Sequence, residues 1–384
     1  MEIKVDVGIA SISKQGEEVC GDTTRVIETG ESTTVILSDG LGSGIKASIL
    51  SILSTQIAAR LLKTNLGLEQ VFATIADTLP ICRVRDIAYS TLSILKISKD
   101  GKAHLIEYDN PSLILIRNNE LVPVKKRKRT IAGKDIDEAF FEVEVGDILL
   151  LVSDGVINAG VGGLFDLGLG RDRLLENIFK RDLYREEAEE LAKKIIGLTE
   201  ACYLGKPGDD STSIVVKPRK LRSVTVLTGP PEDRKLDREV VKRFLDFKDS
   251  EKIICGGATG NMVAREMDSE IETSLEYIDS SVPPVASIEG IDLVTEGILT
   301  LNKSFEMLNH VAEGGKLEDS ADGATALSRR LLKADMIRFI MGRAVNPAHE
   351  ELMQSLQLKP RPEIVGKMVK QLRKMGKNVD IEVY

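Results

Sequence analysis

Acidic residues stand beside short runs of β-branched and apolar residues at four places in the chain. Asp39 and Asp154 each follow such a run after a single serine, and each is followed by glycine. Asp209 and Asp210 directly precede another run, and Asp22 precedes a pair of threonines. An Asp-Gly pair is otherwise most often a simple turn. Because a carboxylate at a strand end is placed at a sheet edge, we predict that the four acidic sites converge on one pair of cations.

The composition offers few ligands for a soft metal. The chain has three histidines, without HExxH spacing, and four scattered cysteines, without a CxxC pair. An all-oxygen set of ligands selects Mg²⁺ or Mn²⁺ over Zn²⁺. Two such ions about 3.5–4 Å apart suit phosphate hydrolysis, in which a metal-bridging water becomes the attacking hydroxide. No side-chain nucleophile is then needed, in agreement with the lack of any Ser-His or Cys-His arrangement.

Four segments, taken in order, resemble the phosphatase 2C superfamily, and above all its bacterial SpoIIE and RsbU branch. The segments are Val19-Cys20-Gly21-Asp22, Ser38–Gly44, Ser153-Asp154-Gly155 and Gly208–Thr212. Two further segments, Ile87–Leu92 and Asp109–Ser112, look like the central strands of that branch. The likeness covers residues 4 to 218. It implies an α+β fold, an antiparallel β-sandwich flanked by helices, and the activity of a metal-dependent protein serine/threonine phosphatase.

The resemblance also implies a role for each acidic residue. Asp39 matches the carboxylate that bridges both ions, and Gly40 matches the residue whose backbone carbonyl completes the first metal site. Asp154 and Asp209 match ligands of the second ion. Asp22 matches the acid that holds a metal-bound water. The expected catalytic residues are therefore Asp22, Asp39, Asp154 and Asp209, and the expected metal set adds Gly40 and Asp210, which stands where an asparagine is often found.

The basic residue that would hold the substrate phosphate is not evident from the sequence. Eukaryotic members of the superfamily carry an arginine for this purpose near the N-terminus, and this chain has no clear equivalent. Lys14 and Arg25 are the two candidates to replace it. A further basic run, Lys125–Arg129, is interpreted as a solvated loop or as a surface that steers an acidic phosphoprotein.

Two kinds of secondary-structure pattern divide the chain. The first 220 residues predict hairpin-linked strands, with helices over Ile45–Leu62, Leu68–Leu79 and Arg185–Leu204. From residue 221 to 384, strands and helices alternate, which predicts a separate α/β domain with a mostly parallel sheet. Strands are expected there at Val224–Leu227, Lys252–Cys255, Ser274–Ile278 and Met336–Met341.

A glycine-rich loop opens a predicted helix in the second domain. Its residues Gly256, Gly257, Thr259, Gly260 and Asn261 could hold a small anionic ligand with backbone N–H groups at the helix N-terminus. The loop is neither a GxGxxG nor a P-loop sequence. A tight strand-to-helix turn is the alternative interpretation.

Charge and hydropathy exclude some classes of partner. The net charge of −8 argues against general nucleic-acid binding, and no apolar run approaches the length of a membrane span. Scattered cysteines fit a reducing cytoplasm. The resemblance implies a phosphoprotein substrate, such as an anti-anti-sigma-like regulator. The oligomeric state stays open, with a homodimer as one option.

Three functions compete on these observations. The first is an active phosphatase with a regulatory C-terminal domain, and the complete set of acids favours it. The second is a catalytically weak signalling module that senses a small anionic ligand through the C-terminal domain; the missing arginine and the large second domain favour it. The third, a nucleotide-binding enzyme centred on the glycine loop, requires the phosphatase motifs to be coincidental.

Overall fold

The computed structural model describes residues 2–64, 66–78, 81–82, 87–88, 90–273, 286–344 and 358–384. The chain divides into two units, Met1–Lys220 and Leu221–Tyr384. The strand predicted at Ser274–Ile278 lies outside the described residues.

The first unit contains two β-sheets and their flanking helices. In chain order its strands are β1 (Ile3–Ile12), β2 (Asp22–Glu28), β3 (Ser32–Asp39), β4 (Ile81–Cys82), β5 (Ile87–Ala88), β6 (Leu92–Ser98), β7 (Lys102–Tyr108), β8 (Ile114–Arg117), β9 (Glu120–Val122), β10 (Arg127–Ile131), β11 (Lys134–Glu142), β12 (Ile148–Val152) and β13 (Ser211–Lys220). Its helices are α1 (Gly44–Leu62), α2 (Leu68–Thr78), α3 (Asp154–Ile157), α4 (Gly170–Lys180) and α5 (Ala188–Cys202).

The two large sheets of this unit are antiparallel and pack face to face. One has the order β1-β13-β12-β8-β9, and the other has the order β10-β11-β7-β6-β3-β2. Helices α4 and α5 cover the outer face of the first sheet, and α1 and α2 cover the outer face of the second. The predicted antiparallel sandwich flanked by helices is therefore confirmed.

The strands that lead to Asp39 and Asp154 are buried on both faces. In β3, Val35 and Leu37 point into the core between the sheets, whereas Ile36 packs under α1 and α2. In β12, Leu149 belongs to the central core and Leu150 packs under α4 and α5. Burial of one such side chain contributes about 1.5–3 kcal/mol. This double burial explains why both runs are apolar throughout instead of alternating.

Helix α1 is apolar enough, by length and composition alone, to cross a membrane. It packs on the second sheet with Ala47, Ser51, Thr55 and Ala58 buried. A helix that covers a sheet in this way passes the same compositional test, so the test assigns no membrane contact. The expectation of no membrane partner stays a prediction.

The second unit is a three-layer α/β domain. Its strands are β14 (Ser223–Thr228), β15 (Ser250–Cys255), β16 (Glu272–Thr273), β17 (Ala286–Ser287), β18 (Leu293–Thr295), β19 (Met336–Met341) and β20 (Asn378–Val383). Its helices are α6 (Asp237–Leu245), α7 (Gly257–Met267), α8 (Ile298–Ala312), α9 (Gly323–Lys333) and α10 (Arg361–Lys374).

The sheet of the second unit has the order β16-β17-β18-β15-β14-β19-β20. Strands β18, β15, β14, β19 and β20 run parallel, while β16 and β17 are antiparallel additions at one edge. Helices α8, α9 and α10 pack on one face, and α6 and α7 pack on the other. This confirms the predicted mostly parallel sheet.

The sequence patterns missed two elements that matter near the acidic residues. Strand β2 has the sequence DTTRVIE, with four polar or charged residues in a row and no alternation, and it pairs with β3 over its whole length. Helix α4 buries Leu174, Leu175 and Ile178, a short apolar set at helical spacing among mostly polar residues. Strand β2 is therefore fixed by its pairing with β3 and not by a strong local pattern.

Candidate active site

The ends of β2 and β3 bring the first two acidic residues together. Asp22 is the first residue of β2 and Asp39 is the last residue of β3, and the two lie directly opposite each other in the antiparallel register. Gly40 follows at a point where the chain runs against α1. A Cβ at Gly40 would lie 2.0 Å from the carbonyl oxygen of Ala47, so only glycine fits there.

The ends of β12 and β13 bring the other acidic residues together. Asp154 begins α3 directly after β12, and Asp209 and Asp210 directly precede β13. The two ends are joined by hydrogen bonds: the backbone N–H of Ser153 donates to the carbonyl of Thr212 at 3.0 Å, and the N–H of Thr212 donates to Ser153 Oγ at 2.8 Å. The structure therefore has Asp154, Asp209 and Asp210 at strand ends, as predicted.

One cavity collects the predicted residues from both sheets. It has a volume of about 440 Å³ and is lined by Asp39, Gly40, Asp154 and Asp209, together with Lys14. Asp22 and Asp210 are not among the lining residues; they lie behind it, with side chains only 8% and 4% exposed. The sandwich thus brings all four acidic sites into one place, although only three of the five predicted carboxylates line the cavity.

The two buried carboxylates have oxygen atoms without a hydrogen-bond partner among the described residues. Within the described part of the chain, neither oxygen of Asp22 has such a partner, and Oδ2 of Asp210 has none either. Oδ1 of Asp210 accepts from the backbone N–H of Lys14 at 3.0 Å. A buried, unpartnered carboxylate oxygen costs on the order of several kcal/mol, so such an atom indicates a site for a cation or an ordered water.

The close approach of these acids raises their pKa values. Burial, followed by the negative charges of Asp22, Asp154, Asp209 and Asp210, raises the pKa of Asp39 to about 8. Burial is also the main reason that the pKa of Asp22 rises to about 6. The hydroxyls of Ser153 and Thr212 lie nearby and oppose that rise, but neither reaches hydrogen-bonding geometry with Asp22.

The pKa values of the other two cavity carboxylates are raised as well. Burial is the main cause for both Asp154 and Asp209, and the charge of Asp154 adds to the rise at Asp209. Repulsion between like charges in a partly buried site is relieved by a cation. The electrostatics of the cavity therefore fit bound divalent ions.

The donor set also fits hard cations, although the side chains alone do not enclose one. Within the described part of the chain, no group of three or more His, Cys, Asp or Glu side chains is arranged as a ready ion site. Water molecules and the backbone carbonyl of Gly40 would have to complete the coordination. Mg²⁺ usually retains several waters and is bound through one or two carboxylates, so such an open arrangement suits it.

Hydrogen bonds from Thr91, the residue just before β6, hold Asp39 in position. Its backbone N–H donates to Thr91 Oγ1 at 3.1 Å, and its carbonyl accepts from the N–H of Thr91 at 2.8 Å. The Thr91 hydroxyl donates in turn to Asn110 Oδ1 at 2.7 Å, and Asn110 Nδ2 donates to Ser93 Oγ at 2.9 Å. Sequence reasoning placed Thr91 and Asn110 in two of the recognised segments without finding this role for them.

The basic residues named from the sequence lie in different surroundings in the structure. Lys14 lines the cavity, whereas Arg25 is an exposed residue of β2 that does not. In the run Lys125–Arg129, three side chains form ion pairs within the unit: Lys126 with Glu107, Arg127 with Glu138, and Arg129 with Glu138 and Glu69. These pairs hold the run on the fold, which favours a structural role over steering of a partner.

The glycine-rich loop of the second unit is hydrogen-bonded to the ends of strands β14 and β18. The N–H of Gly256 donates to the carbonyl of Thr295 at 2.9 Å, and Thr259 Oγ1 accepts from the N–H of Gly229 at 2.9 Å. Thr259 and Gly260 are buried, whereas Gly257 and Asn261 are exposed. The structure therefore does not bring the five predicted ligand-binding residues to one surface.

A family model supports the same assignment for the first unit. Residues 29–219 match the model of the stage II sporulation protein E (SpoIIE) family. The curated proteins contain no match to the chain.

Solved structures similar to this chain include phosphatase domains. One is the phosphatase 2C domain of Bacillus subtilis SpoIIE with a fragment of its regulatory domain, which has 21% sequence identity and a TM-score of 0.48. The likeness covers 57% of this chain and 63% of that chain, so this chain spans less than two thirds of its length. The RsbU and RsbW domains of a Mycobacterium tuberculosis protein have 12% identity, a TM-score of 0.46, and coverage of 63% of this chain and 67% of that chain.

A third similar structure is RsbX in complex with magnesium. It has 18% identity and a TM-score of 0.41, with coverage of 56% of this chain and 95% of that chain. The family model and the four recognised segments coincide on the unit that carries the acidic cavity. Residues 29–219 therefore match the SpoIIE family, in agreement with the resemblance of the four segments to the SpoIIE and RsbU branch of the phosphatase 2C superfamily.

Proposed function

We propose that the first unit is a metal-dependent protein serine/threonine phosphatase acting on a phosphoprotein. The observation that carries the proposal is the single cavity lined by Asp39, Asp154 and Asp209, with the unpartnered carboxylates of Asp22 and Asp210 behind it. The match of residues 29–219 to the SpoIIE family supports it. An anti-anti-sigma-like regulator is the proposed kind of substrate, and the cytoplasm is the proposed location.

The chain's own residues would each contribute to a site for two divalent ions, Mn²⁺ or Mg²⁺. Asp39, held by Thr91, would contact both ions, and the carbonyl of Gly40 would contribute to the first metal site. Asp154 and Asp209 would contribute ligands to the second ion, and Asp22 would accept a hydrogen bond from an ordered water. When bound, such a pair of ions supplies an activated water at neutral pH and positive charge for the phosphoryl oxygens.

The serine and threonine hydroxyls that line the cavity are bonded to carboxylate, hydroxyl or amide oxygens and not to an imidazole base. Ser43 Oγ donates to Glu17 Oε1 at 2.9 Å, Ser90 Oγ is hydrogen-bonded to Ser38 Oγ, and the Thr91 hydroxyl is bonded to Asn110. Among the described lining residues there is no histidine to act as a base. This supports attack by water and a reaction without a covalent enzyme intermediate.

Substrate class can be tested with phosphopeptides. With Mn²⁺ present, we expect the full-length protein to hydrolyse phosphothreonine and phosphoserine peptides at least about tenfold faster than a phosphotyrosine peptide of the same sequence. Release of inorganic phosphate is the measurement, and the Asp39→Asn variant is the control for contaminating phosphatases. Equal rates on all three peptides, or faster hydrolysis of phosphotyrosine, would contradict serine/threonine specificity.

The role of the second unit stays a prediction. The proposal from the sequence is that this unit regulates the phosphatase by sensing a small anionic ligand. The hydrogen bonds of the Gly256–Asn261 loop to the ends of β14 and β18 and the burial of Thr259 favour the alternative, a strand-to-helix turn. A catalytically weak signalling module remains the second candidate function, and measured turnover decides between the two.

A further inference from the structure

We propose that Lys14 is the cation that binds the substrate phosphate in this chain. The inference rests on the proposed phosphatase function and names a specificity residue of the same site. Its starting point is the position of Lys14, which lines the cavity together with Asp39, Asp154 and Asp209. Among the described residues that line this cavity, Lys14 is the sole lysine or arginine.

The main chain around Lys14 is fixed to the segment that carries the acids. The N–H of Lys14 donates to Asp210 Oδ1 at 3.0 Å, and the N–H of Gln15 donates to the carbonyl of Pro207 at 2.8 Å. The N–H of Glu17 donates back to the carbonyl of Lys14 at 3.1 Å and closes a turn. These bonds hold the Cα atom of Lys14 at a set place relative to Asp209 and Asp210.

The ammonium group of Lys14 is available for a ligand. Within the described part of the chain, no carboxylate lies within ion-pair distance of it. The positive charge of Lys14 still acts on the site, because it lowers the pKa of Asp209. Burial raises the same pKa by more, so the net shift is upward. A lysine ammonium is a mobile point charge with three N–H donors, which suits the oxygens of a phosphoryl group.

Other basic residues of the unit fit this task less well. Arg25 lies exposed on β2 and outside the cavity lining. Arg171 has a buried Nε atom without a partner among the described residues, but it does not line the cavity either. Lys206 is exposed, three residues before Asp209, and is likewise not a lining residue. Lys206 therefore serves as a control of equal charge in the same segment.

The test compares Lys14→Gln, Lys14→Arg and Lys206→Gln in the full-length protein. The primary readout is the dissociation constant of inorganic phosphate, measured by calorimetry on protein saturated with Mn²⁺. We expect Lys14→Gln to weaken phosphate binding about tenfold or more, because a charge-assisted hydrogen bond is lost. Lys14→Arg should recover most of the affinity, and Lys206→Gln should match the wild type.

Two further readouts separate a phosphate-binding role from a structural one. The affinity for Mn²⁺ and the melting temperature should not fall in Lys14→Gln, while KM for an aryl phosphate rises. If Lys14→Gln fails to fold, Lys14→Met, which retains the apolar stem, decides in its place. Unchanged phosphate affinity in a folded Lys14 variant would overturn the proposal, and so would an equal loss in Lys206→Gln.

Failure of the proposed function would give a different result. A wild-type protein that binds Mn²⁺ and phosphate but hydrolyses no phosphoester would refute the phosphatase, while the phosphate affinities of the Lys14 variants would still decide the role of Lys14. A wild-type protein that binds no phosphate in the presence of Mn²⁺ would overturn the inference outright.

Discussion

The two units of this chain differ in whether the polar groups at their strand ends have hydrogen-bond partners. At the ends of β2, β3, β12 and β13, carboxylates lie close together, and some of their oxygens have no partner among the described residues. At the ends of β14 and β15 in the second unit, the N–H of Gly229 and the hydroxyl of Thr259 are bonded to each other. Glu296, just after β18, accepts from the N–H of Leu299 at 2.9 Å and so caps α8.

This difference distinguishes a functional site from a structural turn better than the sequence motifs do. Both places have glycines, polar side chains and an adjoining helix, so both suggest a ligand when only the sequence is considered. A buried charge without a partner is unfavourable for folding, and it is therefore retained where it serves a function. A loop whose polar groups are satisfied within the fold needs no ligand.

The largest effect is expected from Asp39→Asn. The substitution removes the charge that is proposed to contact both ions, so turnover with Mn²⁺ should fall by at least about 100-fold. The measurement is kcat for a phosphothreonine peptide, with Asp109→Asn as the matched control. Asp109 lines the same cavity but is exposed, and its φ of 53° is one that asparagine accepts. Near-normal turnover in Asp39→Asn would refute the assignment of the bridging residue.

Smaller losses are expected from Asp154→Asn and Asp209→Asn. Each carboxylate is proposed to bind one ion, so a higher Mn²⁺ concentration should restore part of the activity in both variants. The measurement is the Mn²⁺ concentration that gives half-maximal turnover, which should rise about tenfold or more relative to the wild type. An unchanged half-maximal concentration would remove these residues from the ligand set.

The metal-free protein should lose stability as pH rises. The pKa of Asp39 is about 8 in the folded chain, compared with an ordinary value of 3.8, so the folded state binds more protons than the unfolded state between those values. The free energy of unfolding of the first unit should therefore fall as the pH rises from about 4 to about 8. Below about pH 4, Asp39 should not affect it. Mn²⁺ must displace the same protons, so its apparent affinity should rise over the same range.

Denaturation in excess EDTA at several pH values checks this expectation. In Asp39→Asn the loss of stability with pH should be smaller, because one titrating group is gone and the repulsion is reduced. A transition assigned to the second unit should show no change on this substitution. Identical pH dependence in the wild type and the variant would show that Asp39 does not retain its proton in the metal-free fold.

The smallest effect is expected from Gly257→Val in the second unit. A Cβ at Gly257 would meet no atom within 4 Å, so the fold should tolerate the substitution. If the loop is only a turn, nucleotides and phosphorylated metabolites should shift the melting temperatures of wild type and variant equally or not at all. A compound that stabilises the wild type but not the variant would support the predicted anion site and reverse the comparison between the units.

Local sequence patterns were sufficient to predict some parts of the site. The apolar runs before Asp39 and Asp154 end at the acids themselves, so their strand-end positions follow from the pattern of burial. The pairing of Asp22 with Asp39 could not be predicted, because it depends on the β2–β3 register and β2 has no marked apolar pattern. The placement of Lys14 could not be predicted either, because bonds to Pro207 and Asp210, nearly 200 residues away, fix it.

Tertiary contacts also decided the interpretation of the basic run. Lys125–Arg129 is a plausible partner surface when judged by charge alone. In the fold, Arg127 and Arg129 both bond to the buried Glu138, which lies on the adjacent strand β11. Burial of Glu138 is a property of the folded sheet and not of the local sequence.

The central claim is that the strand-end carboxylates bind divalent ions that phosphate hydrolysis requires. The most direct measurement titrates Mn²⁺ into metal-free full-length protein and follows ion binding and phosphopeptide hydrolysis in the same samples. We predict two bound ions, hydrolysis that rises with their occupancy, and complete loss of turnover in excess EDTA that is reversed by Mn²⁺. Full turnover in excess EDTA, or hydrolysis that does not follow ion occupancy, would contradict the claim.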